Sequence, residues 1–187
     1  MIDREVYFAH VRAVLFGGAM TQQQVDGQLV LLGLWENGQT GTPMTDVRWL
    51  AYMLATTFVE TDRKMWPIRE YGRGEGKDYG TTYYGRGFVQ LTWEENYNRA
   101  GAALSLIDDR DPVAYPDIAL DSLIAARILF RGMAEGWFTG AKLGDYFDVD
   151  EDDPIGAREI INGHDRDEEI AGYHAEFLNA LNDGRYA

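Results

Sequence analysis

Residues 59–97 read VETDRKMWPIREYGRGEGKDYGTTYYGRGFVQLTWEENY, and the rest of the chain is arranged around this stretch. The carboxylates Glu60, Asp62, Glu70 and Glu75 share it with Gly72, Gly74, Gly76, Gly80, Gly85, Gly87 and a run of aromatic residues. A helical apolar pattern precedes it and another follows. From Pro67 to Gly87 that period is lost, and Tyr79, Tyr83, Tyr84 and Phe88 alternate with small or polar residues, which predicts an irregular loop and a short hairpin. Thr92-Trp93-Glu94-Glu95 has the form of a capping box. It predicts Phe88 to Leu91 as the last strand and a helix starting at Trp93, with Asn96 and Tyr97 on its first turns. The glycine-rich GRGEG at 72–76 follows no apolar strand, opens no helix and has acidic neighbours, so a dinucleotide site is rejected.

Upstream, Val6, Tyr7, His10, Val11, Val14 and Leu15 recur at helical spacing between Asp3 and Phe16, and Gly17-Gly18 end the pattern. Thr21 and Gln24 have the residue types of a second capping box, opening a helix with Val25, Leu29, Leu32 and Trp35 on one face up to Asn37-Gly38. Thr45 or Asp46 can cap a third helix, whose stripe Val47, Leu50, Ala51, Leu54 and Phe58 runs up to Glu60. A carboxylate at that end meets the negative pole of the helix dipole, a cost of some tenths to ~1 kcal/mol that is sometimes kept for function. A solvent-exposed helix-end glutamate is the ordinary alternative.

Downstream, 108–116 reads as a charged loop bracketed by proline, and Leu120 to Gly136 as a core helix. GWFTGAKLGDYF at 136–147 reads as a turn and short helix packing its aromatic residues. Asp148, Asp150, Asp152 and Glu159 fall at the first, third, fifth and twelfth places of a calcium-loop spacing. Asp153 occupies the place of the required glycine, however, and Pro154 suits the first residue of a helix over 155–161, so no metal is expected. Asn162-Gly163 ends that helix, and Asp165 with Glu168 is expected to cap the last one. The total is about seven helices and one small hairpin, a mainly α chain forming a single domain over residues 1–187.

The chain has 17 basic and 31 acidic residues, a formal charge of −14, and no cysteine. This balance works against nucleic acid or an anionic membrane as partner. Disulfides and thiol chemistry are excluded. The first residues lack a signal-peptide pattern, and no apolar run approaches the roughly 20 residues of a membrane span. His10, His164 and His174 have no metal-binding spacing, and Ser105 and Ser122 sit in no nucleophile elbow, so no cofactor is expected. Carboxylate chemistry remains. Two carboxylates across a cleft, one to protonate a leaving oxygen and one to activate water or stabilise a positive ring, are what glycosidic hydrolysis requires. Glu60 and Glu70 could stand on opposite sides of such a cleft.

The succession VET at 59–61, PIRE at 67–70, YYGRGFVQLTWEENYNRAG at 83–101 and IING at 160–163 resembles the catalytic domain of glycoside hydrolase family 19, the chitinase and phage-endolysin group. LFGG, RWLAYMLATTF and GWFTGAKLGDYF are similar to its phage branch, so the resemblance covers most of the chain. It implies a lysozyme-like, mainly α fold with a hairpin lining a substrate cleft, and inverting hydrolysis of β-1,4 bonds beside N-acetylglucosamine. Glu60 would be the general acid and Glu70 the general base, with Glu75 and Asp78 as rivals for the base. Thr92 would help hold the water. Gln90, Asn96 and Asn162 would bind the N-acetylated sugar, and Tyr84 and Arg86 would border the cleft. An N-cap would equally account for Thr92, a C-cap for Asn162 and an ion pair for Arg86. Two departures stand out, Val59 for the usual histidine and His164 for the second glycine of INGG. Peptidoglycan is the expected substrate and chitin the alternative, acted on by a monomer made in the cytoplasm and reaching the wall after release. A catalytically silent sugar-binding module and a calcium-stabilised structural domain are the readings from other classes.

Overall fold

The computed structural model describes residues 1–185. Seven α-helices and a two-stranded hairpin make up its regular structure among these residues: α1 (Arg4–Val14), α2 (Gln22–Glu36), α3 (Val47–Glu60), β1 (Ile68–Arg69), β2 (Arg86–Gly87), α4 (Glu94–Leu104), α5 (Ser122–Glu135), α6 (Glu159–Asn162) and α7 (Asp167–Arg185). Single 3-10 turns lie at Asp108–Arg110, Pro116–Leu120, Leu143–Asp145 and Gly156–Arg158.

The first three helices begin where the sequence places them. Asp3 accepts from the Val6 N–H, Thr21 and Gln24 form a reciprocal capping box, and Asp46 accepts from the Arg48 N–H. Each bond satisfies a donor that the first helical turn leaves unpaired. Every residue of α3 from Leu50 to Phe58 is buried, so this helix is the axis of the core, and α7 packs along both it and α1. Burying a Leu, Met or Phe side chain stabilises by about 1.5–3 kcal/mol, and α3 supplies Leu50, Met53, Leu54 and Phe58. The chain ends are tied together, the Asp3 N–H donating to the Gly184 carbonyl at 2.8 Å.

Four boundaries differ from expectation, each for a local reason. Phe88 to Leu91 is a turn instead of a strand. Gly87 at φ 88° and Gln90 at φ 54° reverse the chain, so that Leu91 pairs back onto Arg86. Thr92 caps nothing, because the Trp93 N–H is drawn to the Tyr83 carbonyl (3.0 Å), which puts Trp93 at φ 70° and delays α4 to Glu94. Asp165 does not cap α7: its carbonyl accepts from Arg158, and Arg166 at φ 59° turns the chain into a helix beginning at Asp167. The expected helix over 155–161 is a 3-10 turn running into the four-residue α6, opened by Asp153 accepting from the Gly156 N–H.

The acidic segment before it is used internally. Asp148 accepts from the N–H groups of Asp150 and Glu151, Asp152 faces Arg48 at 3.5 Å, and Glu159 accepts from the Tyr146 hydroxyl. Among the described residues no group of three or more His, Asp or Glu is placed to hold a metal ion, and no helix is long and apolar enough to cross a membrane.

The hairpin is antiparallel, with Ile68 opposite Gly87 and Arg69 opposite Arg86. Gly87 brings β2 against the 3-10 turn Pro116–Leu120, where a Cβ would stand 3.0 Å from the Ala119 carbonyl.

Candidate active site

Glu60 is the last residue of α3, and the chain leaves it through a tightly bonded turn. The Thr61 hydroxyl donates to the Thr57 carbonyl and accepts from the Met65 N–H, and the Arg63 N–H donates to the Phe58 carbonyl at 2.7 Å. Asp62, Arg63 and Met65 all have left-handed backbone (φ 50°, 61° and 51°), a conformation disfavoured for side chains with a Cβ. Gly27 of α2 braces the turn from behind: a Cβ there would stand 1.6 Å from the Met65 carbonyl oxygen.

A buried arginine accounts for a carboxylate at this helix end. Arg158 is 2% exposed, donates to Glu60 Oε1 at 2.8 Å and donates through Nε to the Asp165 carbonyl at 2.8 Å. Its positive charge offsets both the glutamate and the negative pole of α3.

Glu70 follows β1 directly and is fixed at both oxygens. The Tyr79 hydroxyl donates to Oε1 at 2.7 Å and the Gly85 N–H to Oε2 at 3.1 Å, while the Glu70 N–H donates to the Gly85 carbonyl. Burial, reinforced by the neighbouring Glu70 carboxylate, pushes the Tyr79 phenol up to about 12, so Tyr79 stays a donor throughout the neutral range. Its ring lies edge-on to Trp93, with centroids 5.6 Å apart. Gln90 ties the strands together by donating to the Ile68 and Gly87 carbonyls, and its side chain occupies the space a Cβ on Gly85 would need.

Glu60, Glu70 and Gln90 line one cleft of about 320 Å³, together with Val59, Ile68, Asp62, Tyr71 and Arg166. Tyr71 donates to Asp62 at 2.8 Å and accepts from Lys64 at 2.7 Å, and Arg166 is held by Glu169. That contact, aided by the Tyr173 hydroxyl, holds the Glu169 carboxyl down to about 2. Val59 brings an apolar side chain beside Glu60 in the cleft wall, and His164 is exposed and faces Asp167 at 3.6 Å.

Tyr84 and Arg86 line a second and larger cavity, of about 970 Å³, which shares Tyr71 with the cleft. Arg86 is buried and fully engaged: it donates to Asp117 (2.8 Å), the Tyr97 hydroxyl and the Thr82 and Tyr84 carbonyls, and its guanidinium lies 3.7 Å from the Tyr84 ring centroid. Asp117 also accepts from Arg69, and the two arginines, Arg69 foremost, hold its carboxyl below the usual range. Glu75 lines this larger cavity and Asp78 lines neither. Thr92 and Asn96, both half-buried, and the exposed Asn162 do not line the cleft. Asn162 ends α6, four residues beyond Arg158.

Three residues that organise the site escape a reading of the sequence. Arg158 carries a faint signal, since its spacing of four from Asn162 in AREIIN puts both on one helical face. Tyr79 lies in a loop with no period, and Asp117 acts across more than thirty residues, so neither has a local signature.

No protein-family model matches the sequence, and a search of curated proteins finds no match. Solved structures do match in shape. Chitinase C from Streptomyces griseus HUT6037 matches with a TM-score of 0.63 at 17% identity, over 97% of this chain and 76% of that one. A bacterial family 19 chitinase gives 0.53 at 19% identity, over 96% and 94%. A family 19, class IV chitinase from Zea mays gives 0.54 at 18% identity, over 94% and 90%. At such identities the likeness is one of fold: this chain has the lysozyme-like, mainly α fold of those chitinases, with a small hairpin beside the cleft.

Proposed function

We propose that the protein is an inverting glycoside hydrolase cutting β-1,4 bonds next to N-acetylglucosamine, with Glu60 as general acid and Glu70 as general base. The observation that carries this reading is that Glu60 and Glu70, ten residues apart and mounted on a helix end and a hairpin, line one cleft. In this reading Glu60 enters the step protonated, hands that proton to the leaving oxygen and becomes the carboxylate, while Arg158, donating to Oε1, sets the direction of its side chain. Glu70 takes a proton from water as that water attacks the anomeric carbon, and its two hydrogen bonds fix the direction of the acceptor oxygens. Gln90 lies within the same wall, in a place to meet the sugar. Thr92, Asn96 and Asn162 would reach substrate only through a change in the cleft or a longer ligand.

Chitin is supported as substrate by the chitinase names of the structures that share the fold. Release of soluble fragments from chitin oligomers and from purified peptidoglycan, by wild type and by Glu60→Gln, tests the assignment. Wild type is expected to cut at least one polymer, giving an α-anomeric product by NMR, and Glu60→Gln to lose that activity while remaining folded by circular dichroism at the assay temperature, its melting temperature lowered because Arg158 loses its counter-ion. Binding of both polymers without cleavage would instead make the protein a silent sugar-binding module.

A further inference from the structure

The 970 Å³ cavity has no part in the reaction above, although it is about three times the volume of the cleft and opens beside it across Tyr71. Its inner wall is occupied by internal bonds, Asp117 accepting from both Arg86 and Arg69. Its outer wall differs. Arg73 and Glu75, two residues apart on the loop after Glu70, have no ion-pair partner among the described residues. Tyr71 and Tyr115 flank them, 72% and 56% exposed.

This loop is built to present those two charges. The Arg73 N–H donates to the Glu70 carbonyl, the Glu75 N–H to Gly72 and the Lys77 N–H to Gly74. Gly74 lies so close to Gly80 that a Cβ would stand 2.0 Å from its carbonyl oxygen. Arg73 itself is held at φ 48°, the kind of left-handed backbone that gathers at binding sites. An exposed cation and an exposed anion facing a roomy cavity, without ion-pair partners of their own, have no charged group to meet in chitin, which is uncharged along its length. Peptidoglycan differs in that each muramic acid carries a short peptide bearing both carboxylates and, on its diamino residue, a free ammonium.

We propose that this cavity receives the peptide stem of peptidoglycan, Arg73 taking a stem carboxylate and Glu75 the ammonium, while the sugar chain lies in the adjoining cleft. The assignment rests on the hydrolase reading for its placement and narrows the polymer to one that carries charged side branches. Tyr71, common to both cavities, would stand at the branch point between sugar and peptide.

The test compares binding of a peptide-bearing disaccharide with that of the same disaccharide freed of peptide, by calorimetry with the Glu60→Gln protein. Cleavage of intact peptidoglycan and of amidase-stripped glycan by wild type is measured beside it. Two charge contacts at exposed positions should favour the peptide-bearing ligand by about tenfold. Arg73→Asn, a residue that tolerates left-handed backbone, and Glu75→Gln should each shrink that ratio toward one. Equal affinity for the two ligands, or a ratio that neither variant changes, overturns the proposal. If no polymer is cut while the binding preference persists, the hydrolase reading falls and the stem site stands. If stripped glycan and intact wall are cut at equal rates with equal binding, the hydrolase stands and the stem site falls.

Discussion

Replacing Arg158 by methionine removes the guanidinium while keeping most of the side-chain volume, and its effect can be sized from the contacts. Arg158 is 2% exposed and Glu60's side chain 16%, so the substitution leaves a mostly buried carboxylate without its partner. It also leaves the Asp165 carbonyl without its donor. Breaking a buried ion pair from one side costs about 3–5 kcal/mol. Glu60 borders a cleft and can recover some hydration, which favours the lower end, about 3 kcal/mol. For a chain of 187 residues, each kcal/mol moves the melting temperature by about 2–4 °C, so a fall of roughly 6–12 °C is expected by circular dichroism. The diagnostic measurement is the same substitution in a Glu60→Gln background. A neutral amide loses far less when the guanidinium goes, so the two effects should be non-additive by about 2 kcal/mol. A loss below about 1 kcal/mol in the wild-type background, or the same loss in both, would refute the view that Arg158 is there to hold Glu60.

If Glu70 is the base as proposed, Tyr79→Phe should lower kcat on whichever polymer is cut, with little change in KM, because it frees one oxygen of Glu70 without altering the cleft wall; an unchanged kcat would remove Tyr79 from the proposed positioning role. Gly27→Ala places a methyl against the Met65 carbonyl and should destabilise by at least the roughly 1–3 kcal/mol of an overpacked site, read as a lowered denaturation midpoint in urea. His174 is buried against Tyr52 and Phe147, with Asp46, Arg48 and Asp152 nearby, and burial depresses its pKa below the ordinary value of about 6.5. The unfolded chain therefore binds its proton first, so the stability His174 contributes is complete above about pH 6.5 and is lost as the pH falls through the lower folded value. Melting curves between pH 7.5 and about 5 should show wild type losing stability relative to His174→Phe, and parallel curves would exclude this linkage.

Helix placement was legible because three N-caps and the apolar stripes act over a few residues, and Asp3, Thr21 and Asp46 do what their side chains suggest. Two of the four boundaries that misled involve a bond to a group outside the expected cap. Thr92 has the side chain of a cap, but the Tyr83 carbonyl claims the next N–H; Asp165 has one too, but Arg158 claims its carbonyl. The same limit applies to the site. Glu60 and Glu70, which line one cleft, are legible as candidates by residue type and by their place at the edges of periodic segments. What orients them comes from elsewhere: Arg158 arrives from nearly a hundred residues downstream, and Tyr79 from a loop whose path is set by Gly74 meeting Gly80. Arg86, legible as a motif residue, is committed to internal bonds, the ion-pair role that its chemistry also allowed.

The cross-strand pair Arg69 and Arg86 bears on how the chain acquires its site. Two like charges directly opposite each other oppose hairpin formation, and here the strands are only two residues each. Asp117 reconciles them, accepting from both at 2.8 Å, but it belongs to a turn that docks from beyond α4. The segment carrying Glu70 therefore gains little stability by itself. Its closure is expected to follow docking of the 116–120 turn onto the helical core, and hydrogen exchange should then show the hairpin amides exchanging well before those of α3.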